Sequence, residues 1–221
     1  MRESYLNWVV FMAALVATAG LLFATLPAGS KEPVHKLYWE DQTARQNAIQ
    51  LVSQVAILTK RGDSGVVIVG YRDEINATNR AELLQVLSNV LKMAEGYTVY
   101  LAPWATDGVT RQYLSLLYNN KLTLEEYLHG VVKIEHENST KIDGALELAR
   151  FLAKVYGSYK PLGGSVAVQT PPIYIAVFRN DTTYVVYEPF TVGRDQTFTD
   201  WLQWVKTIFD NLKTGQGRVT P

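Results

Sequence analysis

Few residues in this chain have the types and spacing that chemistry requires. Gly62-Asp63-Ser64-Gly65 has the composition of a serine-nucleophile loop. Such a nucleophile needs a histidine base and an oxyanion hole. Here the flanking pattern is helix, loop and strand, no G-x-S-x-G elbow occurs, and the tetrapeptide reads as a connecting loop. His35, His129 and His136 are the only histidines, and His129 and His136 stand seven positions apart. That spacing misses the i,i+3 and i,i+4 pairings that place two ligands on one helix face, so no metal is expected and the histidines read as solvated loop residues. Asp73 and Glu74 fall just ahead of a helical segment, where carboxylates stabilise unpaired N–H groups; capping is the expected role, with acid–base catalysis the sharper alternative. Gly163-Gly164 lacks the setting of a phosphate loop and reads as a turn. No cofactor is expected.

The strongest statement is an absence. Among 221 residues there is no cysteine. Disulfide exchange, thiolate-ligated zinc, iron–sulfur clusters and thioether-linked haem are thereby excluded. Lysine plus arginine (21) balances aspartate plus glutamate (21). A nucleic-acid binder would show a basic excess, so no nucleic-acid partner is expected. With 48% apolar and 19% charged residues the chain can bury a core. Its Tyr-, Val- and Ile-rich composition, with three methionines, suits a thermophile.

Between Glu3 and Lys31 there is no charged side chain. The nineteen residues from Trp8 to Leu26 would cover about 28 Å as a helix, close to the hydrocarbon thickness of a bilayer. Residues 1–30 are therefore read as a transmembrane anchor, with Tyr5 and Trp8 at the interface and Pro27 and Gly29 ending the helix. The rival is a signal peptide cleaved near Ala17-Thr18-Ala19; the apolar run continues past that point, which favours the anchor. Either way the rest of the chain is expected outside the cytoplasm, with membrane lipid and a protein complex as partners. Three sequons, at Asn76, Asn138 and Asn180, agree with export and make the chain a candidate glycoprotein.

Residues 31–63 read as a linker and a helix, the helix running from Glu40 to Arg61 on the spacing of Ala44, Ala48, Leu51, Val52, Val55 and Leu58. Val66–Tyr71 is a continuous apolar run, expected as a strand buried on both faces. An amphipathic helix over Asn79–Met93 and a strand over Tyr97–Leu101 complete a parallel βαβ unit. Helices are expected over Thr110–Tyr118, Thr123–Val132 and Lys141–Tyr156, the second opened by a capping box at Thr123-Leu124-Glu125-Glu126. Ile173–Phe178 and Thr183–Tyr187 read as a hairpin turning at Arg179–Thr182, and Thr197–Leu212 as an amphipathic terminal helix. On that last helix Trp204 lies off the apolar stripe and is a candidate partner contact; residues 213–221 read as a tail.

Thr170-Pro171-Pro172 stands directly before Ile173-Tyr174-Ile175-Ala176-Val177-Phe178. With that motif and the order strand, helix, strand, helical insertion, hairpin and helix, residues 64–212 resemble the thioredoxin fold, and the insertion at about 107–157 resembles its DsbA-like branch. The resemblance implies an α/β thioredoxin-like mixed sheet preceded by the anchor. It also implies a cis-proline at Pro171, or alternatively Pro172, whose preceding residue offers backbone groups to an extended peptide. Where the family carries CxxC, this chain reads Tyr71-Arg72-Asp73-Glu74-Ile75-Asn76-Ala77-Thr78. Thiol–disulfide oxidoreductase activity therefore does not carry over. What does carry over is a binding groove of Asp73, Glu74, Asn76, Thr170, Pro171 and Pro172. The expected function is that of a non-catalytic, membrane-anchored accessory or binding subunit. The alternatives are a cysteine-free transferase or hydrolase on the same fold, or a structural subunit of a surface filament.

Overall fold

The computed structural model describes residues 36–38, 42–133, 135–158, 170–181, 184–190 and 197–214. Contacts divide the chain into two units, residues 1–33 and 34–221. The expected anchor, the signal-cleavage site, the 213–221 tail beyond Thr214 and His35 lie outside the described residues. Among the described residues no helix is long and apolar enough to cross a membrane.

The second unit is an α/β domain. In chain order it comprises β1 (Lys36–Tyr38), α1 (Gln42–Val55), β2 (Ile57–Lys60), β3 (Gly65–Arg72), α2 (Arg80–Met93), β4 (Thr98–Trp104) and α3 (Gly108–Tyr118). It continues through α4 (Leu124–Leu128), α5 (Lys141–Ser158), β5 (Ile173–Arg179), β6 (Tyr184–Pro189) and α6 (Phe198–Thr214). The six strands form one mixed sheet in the order β1-β6-β5-β3-β4-β2. Only β3 and β4 run parallel, in register from Val66↔Thr98 to Arg72↔Trp104; every other neighbouring pair is antiparallel.

The apolar run of β3 lies where its composition predicts. It is flanked by β4 and β5, and Val67, Ile68, Val69 and Tyr71 are fully buried, as are Ile173 to Ala176 across the ladder. Burial on successive residues requires cover on both faces of the sheet. Helix α5 packs on β4 and on α1, while α2 packs on α6. The stripe predicted for α6 is buried at Trp201, Val205, Ile208 and Phe209; Phe209 meets the Tyr97 ring edge-on at 6.0 Å, and Trp204 is half-buried.

Four expectations change. The helix expected over Glu40–Arg61 stops at Val55, and its remainder is the edge strand β2. Ile57 and Leu58 pair with Leu101 and Tyr100, and Thr59 donates its hydroxyl to the Val99 carbonyl at 3.0 Å, so the β4 edge recruits a segment that the apolar spacing assigned to the helix. A register shift between Leu58 and Lys60 interrupts that short pairing. Residues 36–38, read as linker, form β1 along β6. The helix expected over Thr123–Val132 spans only Leu124–Leu128, because Gly130 turns the chain at φ 73°, a conformation natural to glycine. Strand β4 runs through Pro103; β2 reaches only Leu101, so the missing N–H falls where β4 has a strand on one side alone.

Gly70 shows how tightly the sheet is filled. It faces Tyr174 across the β3–β5 ladder, and a Cβ at residue 70 would overlap the buried Tyr174 ring. That ring stacks on Trp104 at 6.1 Å and leans on Tyr187 at 5.6 Å, so it has no room to retreat. Gly70→Ala is expected to cost about 1–3 kcal/mol by overpacking. Gly108→Ala, where an added Cβ meets nothing within 4 Å, serves as the near-neutral control. Denaturant unfolding of the two full-length variants checks the contrast.

Candidate functional site

The sequence-predicted residues divide at the end of the sheet where β3 and β4 finish. Strand pairing continues one residue past β3, with the Asp73 N–H donating to the Trp104 carbonyl at 2.9 Å. This aims the Asp73 side chain inward. Its carboxylate is fully buried and accepts from Arg80 Nε at 2.9 Å, Arg80 Nη2 at 3.2 Å and the Tyr127 hydroxyl at 2.8 Å. The capping role expected for Asp73 is therefore replaced by a buried ion pair with the first residue of α2, and Asn79, the N-cap, makes no side-chain cap bond.

Aromatic rings enclose that pair. The Arg80 guanidinium carbon lies 5.1 Å from the Tyr113 ring centre and 5.5 Å from that of Tyr127. Tyr113 and Tyr127 stack at 5.7 Å, and the Tyr71 ring is 6.5 Å from Tyr127. Burial works against the Arg80 charge, but the hydrogen bonds and charge of Asp73 outweigh it and the guanidinium is held well above its ordinary range. Burial, with smaller contributions from neighbours, pushes the Tyr71 and Tyr127 phenols well above theirs, so Tyr127 keeps the proton it donates.

The next residues turn outward and border an open depression of about 410 Å3, lined by Glu74, Ile75, Asn76, Ala77, Thr106, Asp107 and Thr110. Two links hold its walls. Ile75 N–H donates to the buried Thr110 hydroxyl at 3.0 Å, and Asp107, the N-cap of α3, accepts from Thr110 N–H at 2.8 Å. Although slight burial acts the other way, the Thr110 hydrogen bonds hold the Asp107 carboxyl below its ordinary range, and it stays charged at neutral pH. Glu74 is half-exposed and paired with Arg72 at 2.8 Å. Asp107, Thr106 and Thr110 belong to the site although sequence reasoning passed over them. Their signal was an aspartate three residues before a threonine at a helix start, directly after a strand.

The other half of the expected groove takes a different form. No cis peptide bond occurs among the described residues, so the bonds preceding Pro171 and Pro172 are both trans. Pro171 is buried, Thr170 and Pro172 are half-buried, and the Pro172 carbonyl accepts from Arg72 N–H at 2.8 Å. The segment thus extends the β3–β5 ladder. Asp73 and the Pro172 backbone share the end of β3, but Asp73 faces the core, and neither Thr170 nor the two prolines lines the depression.

Gly163-Gly164 lies outside the described residues. Thr98 binds both the N–H and the carbonyl of Gly62, and Ser64 N–H donates to the Gly96 carbonyl, which fixes the Gly62–Gly65 loop between β2 and β3 against the start of β4. His129 caps α4 through the Glu125 carbonyl, His136 is exposed, and among the described residues no three ligating side chains gather around a metal position. Asn76, Asn138 and Asn180 are all exposed. Asn180 Nδ2 donates to the Asp63 carbonyl at 2.6 Å, tying the β5–β6 turn to the loop before β3.

Helix α4, which carries Tyr127, has the expected capping box between Thr123 and Glu126. The Lys133 ammonium first, then the Thr123 N–H and hydroxyl, pull the Glu126 carboxyl down to about 2. A depressed carboxyl stabilises the fold above its ordinary range and loses that contribution as pH falls through about 2. Lys133→Ala should raise the Glu126 titration midpoint, read by carboxyl NMR. For the buried pair, Asp73→Asn or Arg80→Met alone is expected to cost about 3–5 kcal/mol, because each strands a partner without water. The double variant Asp73→Asn/Arg80→Met should cost clearly less than the two single losses added, measured by a denaturant-unfolding cycle. Comparison with protein-family models, with curated proteins and with solved structures finds no match to this chain.

Proposed function

We propose that the chain is a membrane-anchored, outward-facing, thioredoxin-like domain that works by contact rather than electron exchange, as an accessory or binding subunit of a membrane or cell-surface complex. Support for the fold assignment is the central order β6-β5-β3-β4 with its single parallel pair and the helical insertion after β4. Support for the binding role is the open depression at the end of β3, where the thioredoxin family places its reactive pair and this chain has none. With trans bonds before both prolines, the depression between Glu74–Ala77 and Thr106–Thr110 is the better contact site than Thr170–Pro172.

The enzyme alternative required Tyr71, Asp73 and Glu74 to converge on one pocket. Tyr71 and Asp73 are fully buried and only Glu74 borders the depression, so the geometry favours binding. A glycan at the exposed Asn76 would occupy the rim of the same depression, which makes occupancy of that sequon a determinant of access.

Thr106 is exposed and lines the depression, so Thr106→Trp is the blocking variant. Full-length protein, solubilised from its native membranes in mild detergent, is expected to copurify with a stoichiometric partner. That partner should be lost with Thr106→Trp and kept with Gln50→Trp on the outer side of α1. Equal recovery from both variants would remove the depression as the contact site.

A further inference from the structure

Three segments distant in sequence, 73–75, 110–113 and 127–131, meet beside the depression in a closed circuit. From Asp73 the chain runs through Glu74 to Ile75, whose N–H donates to Thr110 at 3.0 Å. One turn along α3 from Thr110, Tyr113 donates its hydroxyl to the Val131 carbonyl at 2.7 Å and stacks on Tyr127. Tyr127 then donates to Asp73 at 2.8 Å, across 54 residues of sequence, and returns to the starting point. Thr110, Tyr113, Tyr127 and Asp73 are all fully buried. The Tyr127–Asp73 link is shielded from water, whereas the Ile75–Thr110 and Tyr113–Val131 links are only partly buried; Arg80, lying over both tyrosine rings, holds the Asp73 charge in place.

We propose that Asp73 is the latch of the depression: by accepting from Tyr127 it closes this ring and holds the Glu74–Ala77 and Thr106–Thr110 walls at fixed separation, so a partner meets a preformed site. Full separation of the walls needs more than the loss of the part-buried Ile75–Thr110 bond: Tyr127 must also release the charged Asp73 carboxylate, a costly event because no water replaces that buried bond. Opening of this corner is therefore rarer than the fraying expected of an exposed loop, and it involves the α3–α4 insertion as a unit. The functional meaning rests on the binding reading above; the mechanical statement does not, and it is tested without a partner.

The test is native-state amide hydrogen exchange on the full-length chain, comparing the Ile75 amide with that of Val177 in the centre of β5. Tyr127→Phe removes the closing hydrogen bond while keeping the ring. It should speed Ile75 exchange about tenfold to a hundredfold more than that of Val177. Tyr113→Phe opens the circuit at a second link and should give a smaller speeding selective for Ile75. Tyr118→Phe removes a buried bond of 2.9 Å to the Pro103 carbonyl outside the circuit, and should leave the ratio of the two rates unchanged. If Tyr127→Phe and Tyr113→Phe speed Ile75 and Val177 together, or match Tyr118→Phe, the latch is overturned. Selective exchange without partner loss in Thr106→Trp would remove the binding reading alone, and partner loss with unselective exchange would remove the latch alone.

Discussion

The buried pair between Asp73 and Arg80 organises the end of the sheet where the candidate site lies. It joins the last residue of the central ladder to the first residue of α2, and through Tyr127 it draws in an insertion more than fifty positions away. A lone carboxylate would not tolerate complete burial at this point. The guanidinium, the tyrosine hydroxyl and the two flanking rings make it tolerable, and in doing so they fix where three elements meet. The open depression is what remains on the outer side of that junction. Its position follows from the direction in which Asp73 points: inward, leaving Glu74 and Asn76 to face solvent.

Much of the architecture was legible because it rests on patterns that burial enforces locally. The uncharged run Val66–Tyr71 has one stable location, between two strands and beneath helices on either face. The apolar spacing of Asn79–Met93 and of Thr197–Leu212, and the capping box at Thr123, likewise carry their structural meaning within a few residues. Misreadings occurred where a distant partner outweighed local pattern. Ile57–Lys60 continues a helical apolar spacing, yet the unpaired edge of β4 offers backbone hydrogen bonds that a helix would forgo. Lys36–Tyr38 is too short to announce itself and exists as a strand only beside β6.

The site was legible in part, for a related reason. Asp73, Glu74 and Asn76 drew notice because they follow a clear strand where the resembling family carries CxxC, but the sequence does not reveal that adjacent carboxylates face opposite ways. That depends on one additional ladder bond, from Asp73 to Trp104, which carries the strand's alternation one residue further. Tyr127 and Tyr113 were invisible as members of this cluster, because a tyrosine on an apolar helix face reads as core; only three-dimensional contact identifies the Tyr127 hydroxyl as a partner for the Asp73 charge. The proline segment shows the opposite error. A motif that implies a bend is here absorbed into straight pairing, with Arg72 taking the Pro172 carbonyl.

The ends of the sheet carry one last consequence. Its middle strands are long, rich in β-branched residues and nearly free of charge, the composition that nucleates amyloid when it lies open. The outermost strands are the reverse: β1 has three residues, and β2 has four, broken by a register shift next to the exposed Lys60. Neither presents a continuous row of donors and acceptors on which a foreign strand could template itself. The hazard of aggregation is therefore confined to the unfolded chain, before the two stunted borders have closed off the sticky segments between them.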